Sequence, residues 1–347
     1  MSEPIVFSQV WSELSQPPGP SAATVRRVFD GIFAGAWTPA QISGFLVGLR
    51  LSGDRAEVIS AAAEAMRAAM VPVEHDFDSL LDTCGTGGDG SHTLNLSTGA
   101  AIIAAAAGAR VAKHGNRAAT SKSGSADVLE ALGIPLDVPQ ARQVEVLREA
   151  GIAFLFAQAH HPAMRYAMPV RRELGIRTLF NCLGPLANPA RVTHQLLGAY
   201  DDTIRPILAD ALRALGTRRA WVVRSSDGMD EVSPHAPTRV TALASGKLEE
   251  LEIAPEDFGL PRLPEGAIRG AEPASNAAVL QAVLAGEPHP SRDAFVLNAA
   301  AALCVGLELA PREAADRARQ AIDSGAARET LERWRTAANA RRPAAAG

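Results

Sequence analysis

The densest chemical signal in the chain is Gly85-Thr86-Gly87-Gly88-Asp89-Gly90. Glycines at a strand-to-helix turn let backbone N–H groups come close to an anion, and the run literally satisfies the G-x-G-x-x-G form of dinucleotide sites. It is not read as one. The following helix opens only near Ser97, and no Asp or Glu stands between Asp89 and Asp127 to take a ribose hydroxyl. No Gly-Lys-Ser/Thr follows, so a Walker-type phosphate loop is excluded as well. The stretch from Gly90 to Ala126 instead carries Arg110, Lys113, Arg117 and Lys122, with His92 and His114 and no carboxylate. Together with the hydroxyls of Ser97 and Thr98 at a helix start, this composition suits a phosphate-rich ligand.

Three further clusters carry chemistry. Lys113-His114-Gly115-Asn116-Arg117 and Thr120-Ser121-Lys122-Ser123-Gly124-Ser125 join a strand end to a helix start at Asp127. Taken singly, His114 reads as a hydrogen-bonded loop histidine and Asn116 as a turn residue. Around a short helix begun by Pro169 and ended by Gly175 lie Arg165, Arg171, Arg172 and Arg177. At least two of these read as a solvated face, and one directed inward would take a substrate carboxylate in a two-pronged hydrogen bond. Asp227-Gly228-Met229-Asp230-Glu231 follows the apolar run Ala220–Val223. Acids beyond a strand end either hold a hard cation or occupy an exposed turn, and this segment alone favours neither.

The elements that must position these residues fall into two kinds. After Pro17, Pro18 and Pro20 the chain reads as helices: Thr38-Pro39-Ala40-Gln41 is a capping box with Pro at the first helical position, and Asp54 with Glu57 is read as the cap of an Ala-rich helix reaching about Met70. From Ser79 a strand to Cys84, a helix from Ser97 to Ala107 and a strand from Arg110 to Lys113 make a β-α-β unit. Strands at Ala153–Ala157, His194–Gly198 and Ala220–Arg224 alternate with helices at Asp127–Leu132 and Gln140–Ala150. The fold class is therefore α/β, a small all-helical domain plus a larger α/β domain with a central, mainly parallel sheet. Helices at Ala294–Leu307 and Pro311–Ile322 close the chain, and Arg341–Gly347 is expected to fray.

Composition bounds the rest. The 347 residues hold 34 Lys+Arg and 38 Asp+Glu, a net charge of −4, which offers no general attraction to nucleic acid or an anionic membrane. Cys84, Cys182 and Cys304 are odd in number and widely spaced, so neither a disulfide framework nor a zinc site is expected. The opening residues show no basic region followed by an apolar stretch, so no secretory signal and a soluble cytoplasmic protein are expected.

Taken together these segments resemble the anthranilate phosphoribosyltransferase family. The likeness runs through Gly85–Asp89, Asn95–Thr98, Lys113–Arg117, Gly124-Ser125-Ala126-Asp127, Phe180-Asn181, Gly184-Pro185-Leu186, Asn188-Pro189-Ala190, Asp230-Glu231 and Asn298-Ala299-Ala300. The resemblance implies a fold of the nucleoside phosphorylase and phosphoribosyltransferase type. It implies a helical domain of residues 1–75 completed by about 165–190, an α/β domain of 76–164 and 191–347, and a homodimer. The implied reaction joins anthranilate to 5-phosphoribosyl 1-diphosphate and releases diphosphate, with Mg²⁺ as cofactor, in tryptophan biosynthesis. Gly85, Gly88, Asp89, Thr93, Asn95, Leu96, Ser97, Thr98, Lys113, Gly115 and the loop Arg117, Ala118, Ala119, Thr120, Ser121 to Ser125 would surround the phosphoribosyl diphosphate. Ser97, Asp230 and Glu231 would position Mg²⁺; Asn116, Gly85 and Arg171 would contact anthranilate, with His114 lining its entry. Lys113, Asn116 and Arg171 are the implied catalytic residues. The chain departs from the family pattern at Thr120, Tyr166 and Cys182.

Two rivals compete with this reading. A pyrimidine nucleoside phosphorylase of the same fold group would carry a Lys-x-Ser-Gly-Arg-Gly type loop where this chain has Lys113-His114-Gly115-Asn116-Arg117. A non-catalytic nucleic-acid-binding relative would not need Lys113, Arg171 and the Asp230-Glu231 pair, and the negative net charge opposes it.

Overall fold

The computed structural model describes residues 5–118 and 122–340; residues 1–4, 119–121 and 341–347, including Arg341–Gly347, lie outside the described residues. The chain opens with α1 (Phe7–Leu14), α2 (Ala22–Phe33), α3 (Pro39–Leu51) and α4 (Ala56–Ala69). Thr38 caps α3 as its sequence indicates, accepting from the Gln41 N–H at 3.3 Å while Gln41 Oε1 accepts from the Thr38 N–H at 2.9 Å. Asp54 does not cap α4: the helix starts one residue too late for its carboxylate, which pairs with Arg50 at 2.9 Å. Val25, Val28, Phe29 and Ile32 recur at helical spacing along α2 and are fully buried.

The α/β part follows as β1 (Leu81–Gly85), α5 (Leu96–Ala106), β2 (Val111–Gly115), α6 (Ser125–Ala131), α7 (Gln140–Ala150) and β3 (Ile152–Phe156). The chain then crosses back through α8 (Ala157–His160), α9 (Met168–Leu174) and α10 (Phe180–Leu186) to the helical side. Phe180 is the anchor there, its ring 5.1 Å from that of Phe29 and 6.3 Å from that of Phe33. Arg67 of α4 locks the junction by donating to the Leu186 carbonyl at 2.7 Å and the Leu215 carbonyl at 3.3 Å. Burial lowers its pKa to about 10.

The sheet is completed by β4 (His194–Gly198), α11 (Ile204–Ala214), β5 (Arg219–Ser225), β6 (Thr238–Ala244) and β7 (Lys247–Ile253), and the chain ends with α12 (Pro273–Leu284), α13 (Arg292–Gly306), α14 (Pro311–Asp323) and α15 (Ala326–Asn339). Seven strands run in the order β3-β2-β1-β4-β5-β6-β7, the first five paired in parallel and β6 paired antiparallel to both β5 and β7. The β6–β7 hairpin is an addition to the strands expected from sequence. Its two-residue turn, Ser245-Gly246, has φ of 51° and 74°, the left-handed pair such hairpins need. One face of the sheet packs on α5, α13 and α15 in the larger apolar core. The other face of β4 to β6 and α11 share a second core with α2, α3, α4, α9 and α10. Among the described residues no single helix is long and apolar enough to cross a membrane.

Candidate active site

The parallel strands end together at one edge of the sheet, where Gly85 of β1 is the register partner of Gly198 of β4. The turn Asp227–Glu231 lies across these ends. A Cβ on Gly198 would overlap the Asp230 carbonyl, so the approach requires glycine there, and one on Gly85 would displace the Asp230 carboxylate from its place. The acid turn is held in shape from behind. Ser225 and Ser233 donate to the Asp227 carboxylate, and Asn298 of α13 exchanges two bonds with the Val232 backbone at 3.1 and 3.0 Å.

From that perch the acids reach two sets of amides. Gly87 N–H donates to Asp230 Oδ2 at 2.9 Å, and Ser97 N–H, in the first turn of α5, donates to Glu231 Oε1 at 3.2 Å. Asp230 N–H in turn donates to Asp89 Oδ2 at 3.3 Å, so the glycine loop and the acid turn grip one another. Gly87 and Gly88 have φ of 67° and 76°, which exposes the loop's backbone. Thr86 Oγ1 and Thr98 Oγ1 are buried and have no partner among the described residues. Such hydroxyls at a loop and a helix start are suited to phosphate oxygens. Thr93 is bridged to Arg269, Leu96 is fully buried, and Asn95 precedes α5 without capping it.

Burial pushes the Asp230 carboxyl up to about 7, helped by neighbouring Asp89, and burial with neighbouring Asp230 pushes Glu231 up to about 8. Two acids that resist ionisation side by side are a fit for a divalent cation, which would relieve both. Among the described residues no three carboxylate, imidazole or thiol groups assemble into a closed cage. A small hard cation here would therefore complete its shell with ligand oxygens and water, as Mg²⁺ does at phosphate sites.

Lys113 does not project into the glycine loop. It is 1% exposed, and its Nζ donates to the Thr83 carbonyl and, at 3.3 Å, to Ser97 Oγ. Burial lowers its pKa, while Asp82, Cys84 and Glu231 oppose that shift. Its cation thus acts from beneath Ser97 and Glu231. Asp82, which belongs to none of the sequence motifs, is fully buried and accepts from the His114 N–H at 3.1 Å and from Asn188 Nδ2 at 2.8 Å. This explains Asn188-Pro189-Ala190: Asn188 also donates to the Ala112 carbonyl at 2.8 Å, tying the chain's return to β2. His114 Nδ1 meets the Gly184 carbonyl at 3.0 Å and its Nε2 meets His161 Nε2 at 3.3 Å; burial keeps both rings neutral, His161 at about 4.

The loop after β2 is braced by Asp127. Its carboxylate accepts from the Ala118 and Gly124 N–H groups at 2.9 Å each and pairs with Arg117 at 3.0 Å. Arg117 also pairs with Glu130, so two acids hold it away from the glycine loop. The Asn116 carbonyl accepts from Ser125 Oγ at 3.2 Å, and its Oδ1 from Gln158 at 3.2 Å. Gly115 packs against Ser125. Ala119, Thr120 and Ser121 lie outside the described residues.

The four arginines separate clearly. Arg165 stacks on Tyr166, which itself packs over Gly35 of the α2–α3 turn, and Arg172 is exposed. Arg177 lies 4.7 Å over the Tyr200 ring and donates to the Gly88 carbonyl, a link to the glycine loop that no sequence signal marks. Arg171 sits 5.1 Å over the Phe180 ring with its Nη1 3.5 Å from Met168 Sδ, is half-buried with its pKa lowered by that burial, and has no carboxylate partner among the described residues. A half-buried guanidinium without a counter-charge among the described residues is suited to an incoming carboxylate. Cys182, beside this helix, is buried.

An acid whose pKa is higher folded than unfolded holds its proton more tightly in the fold. Its stabilisation is present at low pH and is lost as pH rises through the folded value. The Tm of the metal-free protein should therefore fall between pH 5 and pH 8 by more than that of an Asp230→Asn, Glu231→Gln variant. Equal falls in thermal scans would show that this pair is not under strain.

Comparison with known proteins gives the same picture. Residues 16–70 match the helical bundle domain, and residues 78–328 the a/b domain, of a glycosyl transferase family. The chain is 51% identical over 319 residues to the anthranilate phosphoribosyltransferase of Methylocella silvestris, covering 91% of each. The crystal structure of the Thermus thermophilus anthranilate phosphoribosyltransferase superposes with a TM-score of 0.87 at 41% identity, over 92% of this chain and 96% of that one. The Saccharomyces cerevisiae enzyme, solved with PRPP and Mg and also with 4-fluoroanthranilate, superposes with a TM-score of 0.87 at 28% identity, over 96% of this chain and 97% of that one. This chain belongs to the anthranilate phosphoribosyltransferase family.

Proposed function

We propose that this protein transfers the phosphoribosyl group of 5-phosphoribosyl 1-diphosphate to the amine of anthranilate, giving N-(5-phosphoribosyl)anthranilate and diphosphate in tryptophan biosynthesis. The observation that carries the reading is the docking of Asp230 and Glu231 onto the glycine-loop and α5 amides, which suits a cation-bridged diphosphate. Mg²⁺, held by Asp230, Glu231 and Ser97, would neutralise charge building on the departing diphosphate oxygens. The chain's own groups do the rest. The loop amides and the positive end of α5 receive the phosphates, while Thr86 and Thr98 offer hydroxyls. Lys113 stabilises the ionised form of Glu231 from below. Arg171 takes the anthranilate carboxylate, and Asn116, Gly85 and His114 shape its approach. The amine of anthranilate is neutral at pH 7, so holding it in line with the anomeric carbon suffices and no strong base is required.

The helical unit is taken as residues 1–75 completed by about 165–190, with 76–164 and 191–347 as the phosphoribosyl diphosphate unit. The working form is read as a cytoplasmic homodimer. Cys84, Cys182 and Cys304 are all free thiols, consistent with a reducing compartment, and Val6 and Trp11 of the helical unit are more than half exposed, as an association face requires.

The purified protein given anthranilate, 5-phosphoribosyl 1-diphosphate and Mg²⁺ should consume anthranilate fluorescence and release diphosphate. No turnover across a range of Mg²⁺ concentrations, or phosphorolysis of thymidine or uridine instead, would overturn the reading. Arg171→Ala should raise the KM for anthranilate by about tenfold or more, as loss of a charged hydrogen bond does, and leave the KM for the diphosphate substrate within about twofold. Unchanged anthranilate kinetics would transfer the role to Arg172.

A further inference from the structure

Asn276 lies on α12, outside every glycine, lysine and acid motif described above, yet it is 2% exposed and fully engaged. Its Oδ1 accepts from the Ala271 N–H at 2.8 Å and its Nδ2 donates to Asn95 Oδ1 at 2.9 Å. Asn95 Oδ1 also accepts from Ser123 Oγ at 3.2 Å, and Asn95 Nδ2 donates to the Ser123 carbonyl at 3.1 Å. Backbone groups at the two ends set the direction of this chain. Because the Ala271 N–H can only donate, Asn276 must offer its NH₂ to Asn95; because the Ser123 carbonyl can only accept, Asn95 must offer its NH₂ there.

The consequence falls on α5. An Asn immediately before a helix ordinarily turns its oxygen onto the N–H groups of the first turn. Here that oxygen is occupied by Asn276 and Ser123, and Asn95 makes no side-chain cap. The Ser97 amide faces Glu231 instead, beside the Thr98 hydroxyl, which has no partner among the described residues.

We propose that Asn276 is a positioning residue for phosphoribosyl diphosphate binding. It orients the Asn95 amide so that the oxygen stays off the first turn of α5 and the NH₂ holds Ser123 against it. The inference rests on the reading that this helix start receives the phosphates.

Asn276→Asp tests it. The carboxylate still accepts from Ala271 but cannot donate, so the Asn95 amide turns over and its oxygen faces the Ser123 carbonyl. The KM for 5-phosphoribosyl 1-diphosphate, and its calorimetric Kd in the presence of Mg²⁺, should rise about tenfold, the scale of one lost hydrogen bond at a binding site. The kcat and the anthranilate KM should stay within about threefold and Tm within a few degrees. Asn276→Ala should shift the same constants in the same direction. Wild-type KM and Kd in a folded variant would overturn the inference. So would a parallel fall of kcat and rise of both KM values, or loss of the fold in both variants, since the residue would then serve the structure alone. If the wild type fails to consume anthranilate, the proposed reaction fails, and the calorimetric titration still decides the role of Asn276.

Discussion

The contact on which the site depends is the passage of the Asp230 backbone over the ends of β1 and β4. There is no room for a side chain between Gly198 and the Asp230 carbonyl. Because the contact is with backbone, no rotamer change relieves it. From this one close approach the rest follows. The acid turn comes within hydrogen-bond distance of Gly87, of Asp89 through the Asp230 amide, and of the first turn of α5. Ligands of open parallel sheets gather beyond the carboxyl ends of the strands, and here those ends are covered by the acid turn.

Electrostatics is organised in layers beneath that edge. Asp82 and Lys113 are buried in the sheet, Glu231 and Asp230 above them, and the glycine loop above those. Breaking a buried set of charges by removing one partner costs about 3–5 kcal/mol, whereas an ordinary hydrogen bond nets about 1 kcal/mol. The charges therefore decide the state of the site. With Lys113 the one cation in that lower layer beside Asp82, the upper acids resist ionisation, and a bound divalent cation would offset them. The raised acid pair and the hydroxyls of Thr86 and Thr98, without partners among the described residues, together suit the proposed pairing of a doubly charged cation with an anion.

Much of this is legible in the residues. The β-α-β unit around the glycine loop, the parallel strands and the capped α3 lie within a residue or two of their expected bounds, because local apolar periodicity, glycine and caps determine them. The β6–β7 hairpin escapes the strand expectations although Ser245-Gly246 between two alternating runs is a recognisable turn. The contacts of Lys113 escape the sequence for another reason: it stands on a strand buried on both faces, and no sequence pattern shows that its ammonium lies beside Thr83 and Ser97. Asp82, Asn188, Arg177 and Asn276 are not legible as partners at all, since each acts on a residue far away in sequence. Asp54 shows the opposite limit, a local cap signal displaced by one residue and used by an ion pair.

The central claim is that the Asp230 carboxylate, seated against Gly85, makes the diphosphate site depend on Mg²⁺. Gly85→Ala places a methyl group against the end of a side chain that can swing aside, so the fold survives while Asp230 leaves its seat. The direct measurement is a calorimetric titration of 5-phosphoribosyl 1-diphosphate with and without Mg²⁺ in both proteins. The account predicts strong Mg²⁺ enhancement in the wild type and its loss in the variant. Equal enhancement in the two would contradict it.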